Sequence, residues 1–331
     1  MAYSSITKPS DYFNTKLYTG NGSTQNITGV GFQPDWTWIK NRDRTDYHIL
    51  VDAVRGAPKE MYSNLSNAEY SNSNGLTAFG SDGFSVGSAN DVNYNSSNLA
   101  SWNWKANGSG SANTDGTISS TVSASATSGF SIVKYTGNAT AGATVGHGLG
   151  AVPKMIIVKK TNAAKDWNVY HVGMGATKGM YLNLTNAEQT HTNWNNTTPT
   201  SSVFSIGSDD QVNGSGQTYI AYCFAEKTGY SKFGSYTGNG STDGTFIYTG
   251  FKPAFVLTKS TSNAVNWQIQ DNKTAPTNLM TNKLFANTNA AQDTGSENTV
   301  DFLSNGFKPR GTGSSENING SGYSYIYMAF A

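Results

Sequence analysis

The chain has 331 residues, and 148 of them, about 45%, are Gly, Asn, Ser or Thr. Charged residues make up only 13% and the net charge is +1, which excludes the basic surface that nucleic acid or an anionic membrane would require. The single cysteine, Cys223, excludes a disulfide framework, and no apolar run approaches the roughly 18 residues of a membrane span. Aromatic residues, at 12%, are too frequent for a disordered chain, so we expect a folded, β-rich and turn-rich protein.

In chain order, the same string recurs three times, which indicates internal repeats. The variants YTGNGS, YTGNAT and YTGNGS begin at Tyr18, Tyr135 and Tyr236. Each is followed by a glycine-bounded turn that ends in a proline, namely Pro34, Pro153 and Pro253. An apolar run follows each proline and closes with a lysine, namely Lys40, Lys159 and Lys259. Proline is tolerated at the start of a strand, so each run is predicted to be a strand.

The next aromatic residue of each repeat is Tyr47, Trp167 or Trp267, and an alternating strand pattern follows it. In this alignment His171 corresponds to Val51 and Asp271, so no histidine is repeated. The first two repeats share MYSNLSNAE (61–69) and MYLNLTNAE (180–188), whereas the third keeps only the remnant LFANTNAAQ from Leu284. This segment is the best candidate for a helix, although its Asn-rich sequence fits a turn equally well.

Short β-branched and aromatic runs separated by Gly, Asn, Ser and Pro predict an all-β fold of three tandem antiparallel β-sandwich repeats, jelly-roll-like in character. We divide the chain into an N-terminal arm (1–16), unit 1 (17–105), a Gly/Ser/Thr-rich linker (106–129), unit 2 (130–228) and unit 3 (229–331). Within the linker, the alternating pattern TISSTVSA predicts an extra strand, which either stays with the linker or pairs with a neighbouring unit.

The chain contains several long strings that go beyond a match in composition, among them ITGVGFQPDWTWIKNR, VGHGLGAVPKMIIVKK, YTGFKPAFVLTK and the opening KPSDYFNTKLYTGNGS. These strings resemble a repeat module of virion structural proteins of tailed bacteriophages, marine phages in particular. The resemblance covers nearly the whole chain. It implies a tail-fibre-like or other structural virion protein and brings no catalytic residues with it.

No constellation of acids, bases and nucleophiles stands out, so we expect a non-enzymatic protein with no cofactor and no metal site. Asp11, Tyr12 and Phe13 in the arm are the candidate anchor to the particle. The polar loop around Trp194 is the candidate contact with a receptor or glycan, because aromatic faces can stack on sugars while amides bind hydroxyls. Its members are His191, Asn193, Trp194 and Asn195.

The leading hypothesis is a tail-fibre or tail-associated host-recognition protein on the virion surface, assembled in the host cytoplasm. Its expected partners are other virion proteins, a host surface glycan and further copies of itself, with a homotrimer favoured; no nucleic acid and no membrane insertion are expected. A capsid surface decoration protein is the alternative. A further alternative is a carbohydrate-binding module or polysaccharide depolymerase. A secreted adhesin is disfavoured because the first residues lack a Sec signal pattern.

Overall fold

The computed structural model describes residue 4, residues 6–311 and residues 318–331. The protein is all-β across these residues, apart from a 3₁₀ turn (Pro9–Asp11) and one short helix, α1 (Asn90–Asn93). Residues 63–69, within the candidate helical segment, are turns and irregular backbone instead. The Asn and Ser side chains there favour turns, and the segment lies between strands.

Unit 1 contains β1 (Phe13–Thr19), β2 (Gln25–Thr28), β3 (Trp36–Asn41), β4 (Ile49–Asp52), β5 (Lys59–Tyr62), β6 (Tyr70–Ser71), β7 (Leu76–Gly80), β8 (Gly83–Val86) and β9 (Asn98–Trp104). Residues 106–129 contain β10 (Ser111–Asn113) and β11 (Ser120–Ser125). Unit 2 contains β12 (Phe130–Thr136), β13 (Ala143–Gly146), β14 (Pro153–Lys160), β15 (Asn168–His171), β16 (Lys178–Tyr181), β17 (Gln189–Thr190), β18 (Val203–Ile206) and β19 (Thr218–Ala225). Unit 3 contains β20 (Ser231–Thr237), β21 (Ile247–Tyr248), β22 (Phe255–Ser260), β23 (Gln268–Asp271), β24 (Leu284–Phe285), β25 (Val300–Leu303), β26 (Gly306–Pro309) and β27 (Ser324–Phe330).

Each unit has a main antiparallel sheet with the same central order, in which the closing strand lies between the opening strand and the proline-led strand. The orders are β1-β9-β3-β4-β5-β6, β10-β11-β12-β19-β14-β15-β16-β17 and β20-β27-β22-β23-β24. The alternating segment before unit 2 therefore extends the main sheet of that unit, since β11 pairs with β12.

A smaller sheet packs over one face of each main sheet and completes the sandwich. These sheets are β2-β8-β7, β13-β18 and β21-β26-β25. Each encloses an outer hydrophobic cluster that draws on its own unit, with the preceding linker contributing in unit 2. The proline-led strands are buried on both faces, which explains why their sequences are almost continuously apolar.

The other faces of the three main sheets meet in one shared core. At its centre lie Trp104, Phe224 and Phe330, which occupy the same register position in the three closing strands. Their ring centroids form a closed triangle with sides of 6.4, 6.1 and 5.8 Å. The three units therefore form a ring around an aromatic axis, and folding buries this axis as well as the three outer clusters.

The strand register corrects the alignment of the histidines by one residue. His48 precedes β4 as Trp167 precedes β15 and Trp267 precedes β23, and the backbone N–H of each is bound by the side chain of an equivalent asparagine, Asn64, Asn183 or Asn287. His48, and not Tyr47, is thus the counterpart of the two tryptophans. His171 likewise aligns with Asp52 and Asp271, because each pairs with the first large residue of the proline-led strand.

The tryptophans at this position join consecutive units. Trp167 Nε1 donates to the carbonyl of Tyr62 in unit 1 at 2.8 Å, and Trp267 Nε1 donates to the carbonyl of Tyr181 in unit 2 at 2.9 Å. The ring closes between units 1 and 3, where Ser63 Oγ donates to the carbonyl of Ala286 at 2.6 Å. Burial lowers the pKa of the His48 imidazole, and the charge of Lys40 lowers it further.

The NLSNAE-type segment makes the same joint from the other side. The backbone N–H groups of Glu69, Glu188 and Gln292 donate to the carbonyls of Thr161, Thr261 and Arg42, at 2.7, 3.1 and 2.7 Å. The remnant in unit 3 thus keeps the contact although its sequence has diverged, since a backbone hydrogen bond does not require a particular side chain.

Asp52, His171 and Asp271 are buried at the three joints, and each binds the closing strand of the next unit. Asp52 accepts from Tyr222 Oη at 2.8 Å, and Asp271 accepts from Trp102 Nε1 at 3.2 Å. His171 Nδ1 accepts from the N–H of Gly173, so its Nε2–H donates to the carbonyl of Tyr327 at 3.1 Å. Burial lowers the pKa of His171 to about 4, so the imidazole is neutral at pH 7.

The repeated lysines Lys40, Lys159 and Lys259 are buried and do not reach solvent. Each ammonium donates to the carbonyl of the next residue and to that of the residue four positions on, which ties down the loop after the strand. Burial lowers their pKa values to about 8, 7 and 7, respectively. Each lysine therefore holds a loop in place while carrying a charge that is costly to bury.

Candidate recognition surface

The candidate anchor residues lie where the arm meets the shared core. Phe13 is buried in β1, and its ring lies 4.9 Å from Trp104 and 5.1 Å from Phe330. Tyr12 is half-buried and packs edge-on against Tyr230 of unit 3 at 6.3 Å, whereas Asp11 pairs with Lys8 at the surface. Phe13 is therefore a core residue and is not free to anchor a partner, because the aromatic axis uses its ring.

Trp194 is also buried, with only 2% of its surface exposed. It packs edge-on against Tyr170 at 5.8 Å within the outer cluster of unit 2. The sequence leaves two roles open for Trp194, a contact surface or local packing, and its indole is packed inside unit 2. Asn195 and Asn196 adopt positive φ values of 49° and 51°, and this tight turn reverses the chain immediately after the buried indole.

The neighbours of Trp194 are partly tied to the protein. Asn193 is buried, and its side-chain amide donates to Asn168 Oδ1 at 2.6 Å. His191 is half-buried against the ring of Tyr181 at 5.2 Å, and burial lowers its pKa. Asn195 is half-exposed. The loop thus offers His191 and Asn195 to a ligand, but no indole.

All seven tryptophans are buried, so the accessible aromatic surface consists mainly of tyrosine. Three tyrosines of unit 1 form a row at the surface, which we call the tyrosine platform. The ring centroids of Tyr47 and Tyr62 are 4.9 Å apart, and those of Tyr62 and Tyr70 are 5.2 Å apart. Tyr47 is 38% exposed, and the other two are half-buried.

Carboxylates support this platform from below. Glu60 is fully buried and accepts hydrogen bonds from Tyr70 Oη at 2.6 Å, Asn72 Nδ2 at 3.0 Å and the Leu76 N–H at 3.1 Å. Burial raises the pKa of Glu60, and these hydrogen bonds oppose that shift. Asp91 accepts from the Tyr47 N–H at 3.0 Å, and burial raises the pKa of its carboxyl group too. The rings are therefore held in place before any ligand binds.

The platform belongs to unit 1 alone. The register places Asp166 and Asn266 at the position of Tyr47, and Gln189 of β17 stands where β6 has Tyr70. Three tyrosines within one unit could have been noted from the sequence. Their proximity depends on β5 pairing with both β4 and β6, and residues that far apart in the chain give no periodic signal.

Other chemistry-bearing groups do not assemble into a site. Cys223 is fully buried, and burial raises the pKa of its thiol. Within the part of the chain that the structure describes, no three His, Cys, Asp or Glu side chains come close enough to hold a metal ion. None of the described helices has the length and apolarity of a membrane span.

Taken together, the sheets, joints and axis define an all-β sandwich protein whose three units close into a ring. The chain belongs to the family described as domain of unknown function DUF7483, whose model matches residues 8–331. No curated protein and no solved structure matches it significantly.

Proposed function

We propose that this protein is a non-enzymatic structural component of a tailed-phage virion, carried in the tail fibre or in a tail-associated host-recognition assembly. The proposal rests on the sequence resemblance and on one structural observation. The equivalent residues Trp104, Phe224 and Phe330 close three units around a single axis, and the buried polar side chains at the joints fasten that ring. A scaffold of this kind leaves its outer surfaces free to diverge.

Recognition of a host surface glycan is assigned to the tyrosine platform. Tyr47 offers a partly exposed ring, and an aromatic face can pack against the C–H face of a sugar. Asn72 and Asp91, both half-exposed, lie beside the rings, where their side chains can form hydrogen bonds with the hydroxyl groups of a sugar. His191 and Asn195 of unit 2 are a second polar contact region.

The virion assignment is tested by mass spectrometry of purified phage particles and by locating the chain in a cryo-EM map. A few copies at the tail would support the proposal. Absence of the protein from purified particles would overturn it.

The glycan assignment is tested by titrating the full-length protein with a panel of purified bacterial surface polysaccharides. The Tyr47→Ala variant should bind at least tenfold more weakly than the wild type. Tyr323→Ala is the matched control, because Tyr323 is exposed to the same degree, 39%, and lies in unit 3. If both variants bind equally well, the tyrosine platform is not the glycan-binding surface. Release of reducing sugar during the titration would favour a depolymerase.

A capsid surface decoration protein is the second candidate, and the closed ring is the observation that favours it. A fibre tip is expected to be a homotrimer, whereas this chain already closes its aromatic core with three units of its own. Light scattering after size exclusion distinguishes a monomer from the trimer, and hundreds of copies on the capsid would favour decoration.

A further inference from the structure

In unit 2, the chain itself covers the free edge of the small sheet. Ile118 forms a parallel bridge with Val145 of β13, and its N–H donates to the Thr144 carbonyl at 3.0 Å. Thr117 adds two bonds, from its N–H to Thr144 Oγ1 and from the Thr144 N–H to Thr117 Oγ1, both at 2.9 Å. The Ile118 side chain is buried in the outer cluster of unit 2.

Among the described residues, no segment covers the same edge in unit 3. Strand β21 is the edge strand of its sheet, and Ile247 stands where unit 2 has Val145, since both pair with the equivalent phenylalanine. Phe246 then corresponds to Thr144. Within the described residues, the backbone N–H and C=O of Phe246 have no hydrogen-bond partner. An edge with unpaired backbone groups is able to bind another strand.

The side chains of this edge also differ from those of the other units. Phe246 is 45% exposed and Tyr248 is 62% exposed. Unit 2 has Thr144 and Gly146 at these positions, and unit 1 has Asn26 and Thr28 on β2. Asn26 is also engaged within its own sheet, because its Oδ1 accepts from Ser85 Oγ at 2.7 Å. Within the described part of the chain, unit 3 alone thus combines a free edge with exposed aromatic rings on both sides of the buried Ile247.

We propose that β21 binds an extended segment of a partner polypeptide as an added parallel strand. The segment has the chemistry of residues 117–120: a β-branched apolar residue, equivalent to Ile118, preceded by Thr and followed by Ser. Its apolar side chain packs beside Ile247, its N–H donates to the Phe246 carbonyl, and its outward residues lie against Phe246 and Tyr248. This mode of binding is β-strand addition.

The occupant is a different polypeptide and not a second copy of this chain. Of the residues that the structure describes, 117–118 alone bind such an edge, and they are already committed to β13 within their own chain. A second copy could donate it only by uncovering Val145 and exposing Ile118. This proposal concerns a different surface from the tyrosine platform and does not depend on the virion assignment.

The test titrates the ¹⁵N-labelled full-length protein with a synthetic peptide of residues 114–121 (TDGTISST). We expect shifts of the amide signals of residues 246–248 and slower hydrogen exchange at Phe246, with no shift at residues 26–28. A peptide methylated on the Ile118 nitrogen cannot donate to the Phe246 carbonyl and should bind about fivefold more weakly or worse, which corresponds to a lost hydrogen bond of about 1 kcal/mol.

The protein variant Phe246→Pro removes the N–H of the edge, and Asn26→Pro is its matched control in unit 1. Loss of peptide binding only in the first variant supports the proposal, and the methylated peptide gives the same information if that variant fails to fold. No shift at residues 246–248, or equal binding of the methylated peptide, overturns it. Concentration-dependent dimerisation with shifts at residues 246–248 in the absence of peptide overturns it in favour of a second copy.

Discussion

The indole Nε1 of Trp167 in unit 2 lies 2.8 Å from the carbonyl oxygen of Tyr62 in unit 1, and Trp267 repeats this contact one unit further along. These two bonds join residues 105 and 86 positions apart, and no single unit could make either of them alone. The order of units along the chain becomes the order of units around the axis.

Trp167→Phe tests this joint. The Tyr62 and Leu65 carbonyls would lose the indole donor, so the free energy of unfolding should fall by about 1–3 kcal/mol more than in the control. Trp194→Phe is that control, since it removes the same atoms from a buried indole with no hydrogen-bond partner among the described residues. Urea denaturation measures both, and equal losses would show that the hydrogen bond contributes nothing.

Trp104 tests the axis. Trp104→Ala leaves a cavity where the three main sheets meet and should cost about 3–5 kcal/mol, lowering the stability of all three units together. Trp104→Phe should cost far less, because units 2 and 3 already have phenylalanine at this position and the Trp104 Nε1 has no partner to lose. Calorimetry distinguishes the variants. Unfolding of unit 1 alone in Trp104→Ala would contradict a shared core.

Arg55 tests a buried ion pair. Its Nε lies 2.5 Å from Asp52 Oδ2, and both side chains are almost completely buried. Arg55→Thr copies the arrangement in unit 3, where Thr274 Oγ1 donates to Asp271, but it leaves Asp52 charged without its cation and should cost about 3–5 kcal/mol.

Adding Asp52→Asn to Arg55→Thr should recover part of that loss, because the uncompensated charge is removed. Denaturant unfolding of the two variants measures the difference. A double variant that is less stable than Arg55→Thr would contradict the charge explanation.

The role of the repeated buried lysine can be tested at Lys259 through the pH dependence of stability. Burial lowers the pKa of Lys259 to about 7 in the folded protein, against 10.5 for an ordinary lysine side chain. Between these two values the unfolded chain binds more protons than the folded one, so stability rises with pH from about 7 upwards, and below pH 7 the full cost of burying the charge is present.

Lys259→Met removes this pH dependence. The free energy of unfolding of the wild type, relative to that of the variant, should therefore increase between pH 6 and pH 9. Urea unfolding at both pH values measures it. Lys252→Met, at an exposed site in the same unit, should leave the pH dependence unchanged. A constant difference between wild type and Lys259→Met would contradict a depressed pKa.

Much of the local structure could be predicted from the residues. The strands that follow Pro34, Pro153 and Pro253 lie where the apolar runs predict them, and the segment TISSTVSA (117–124) includes all of β11 except its last residue, Ser125. The site was less predictable. Trp194 stands in a polar sequence yet is buried, since its neighbours turn the chain and the sandwich accepts the indole.

The alignment at His48 shows why side-chain type misleads where a repeat has diverged. An aromatic match placed Tyr47 against the two tryptophans, whereas the hydrogen bond that the His48 backbone N–H donates to Asn64 Oδ1 identifies the true counterpart. Backbone geometry is retained across the three units while the side chain at the joint changes from indole to imidazole.

The sequence by itself determined the three repeats, their strands and their turns, because these follow from local composition and from the two-residue period of a half-buried strand. Only the tertiary structure decided that the units form a ring around Trp104, Phe224 and Phe330. The physical reason is that each central strand is buried on both faces. A continuous apolar run shows that both faces are covered, but it does not show which face meets the small sheet of its own unit and which meets the other two units.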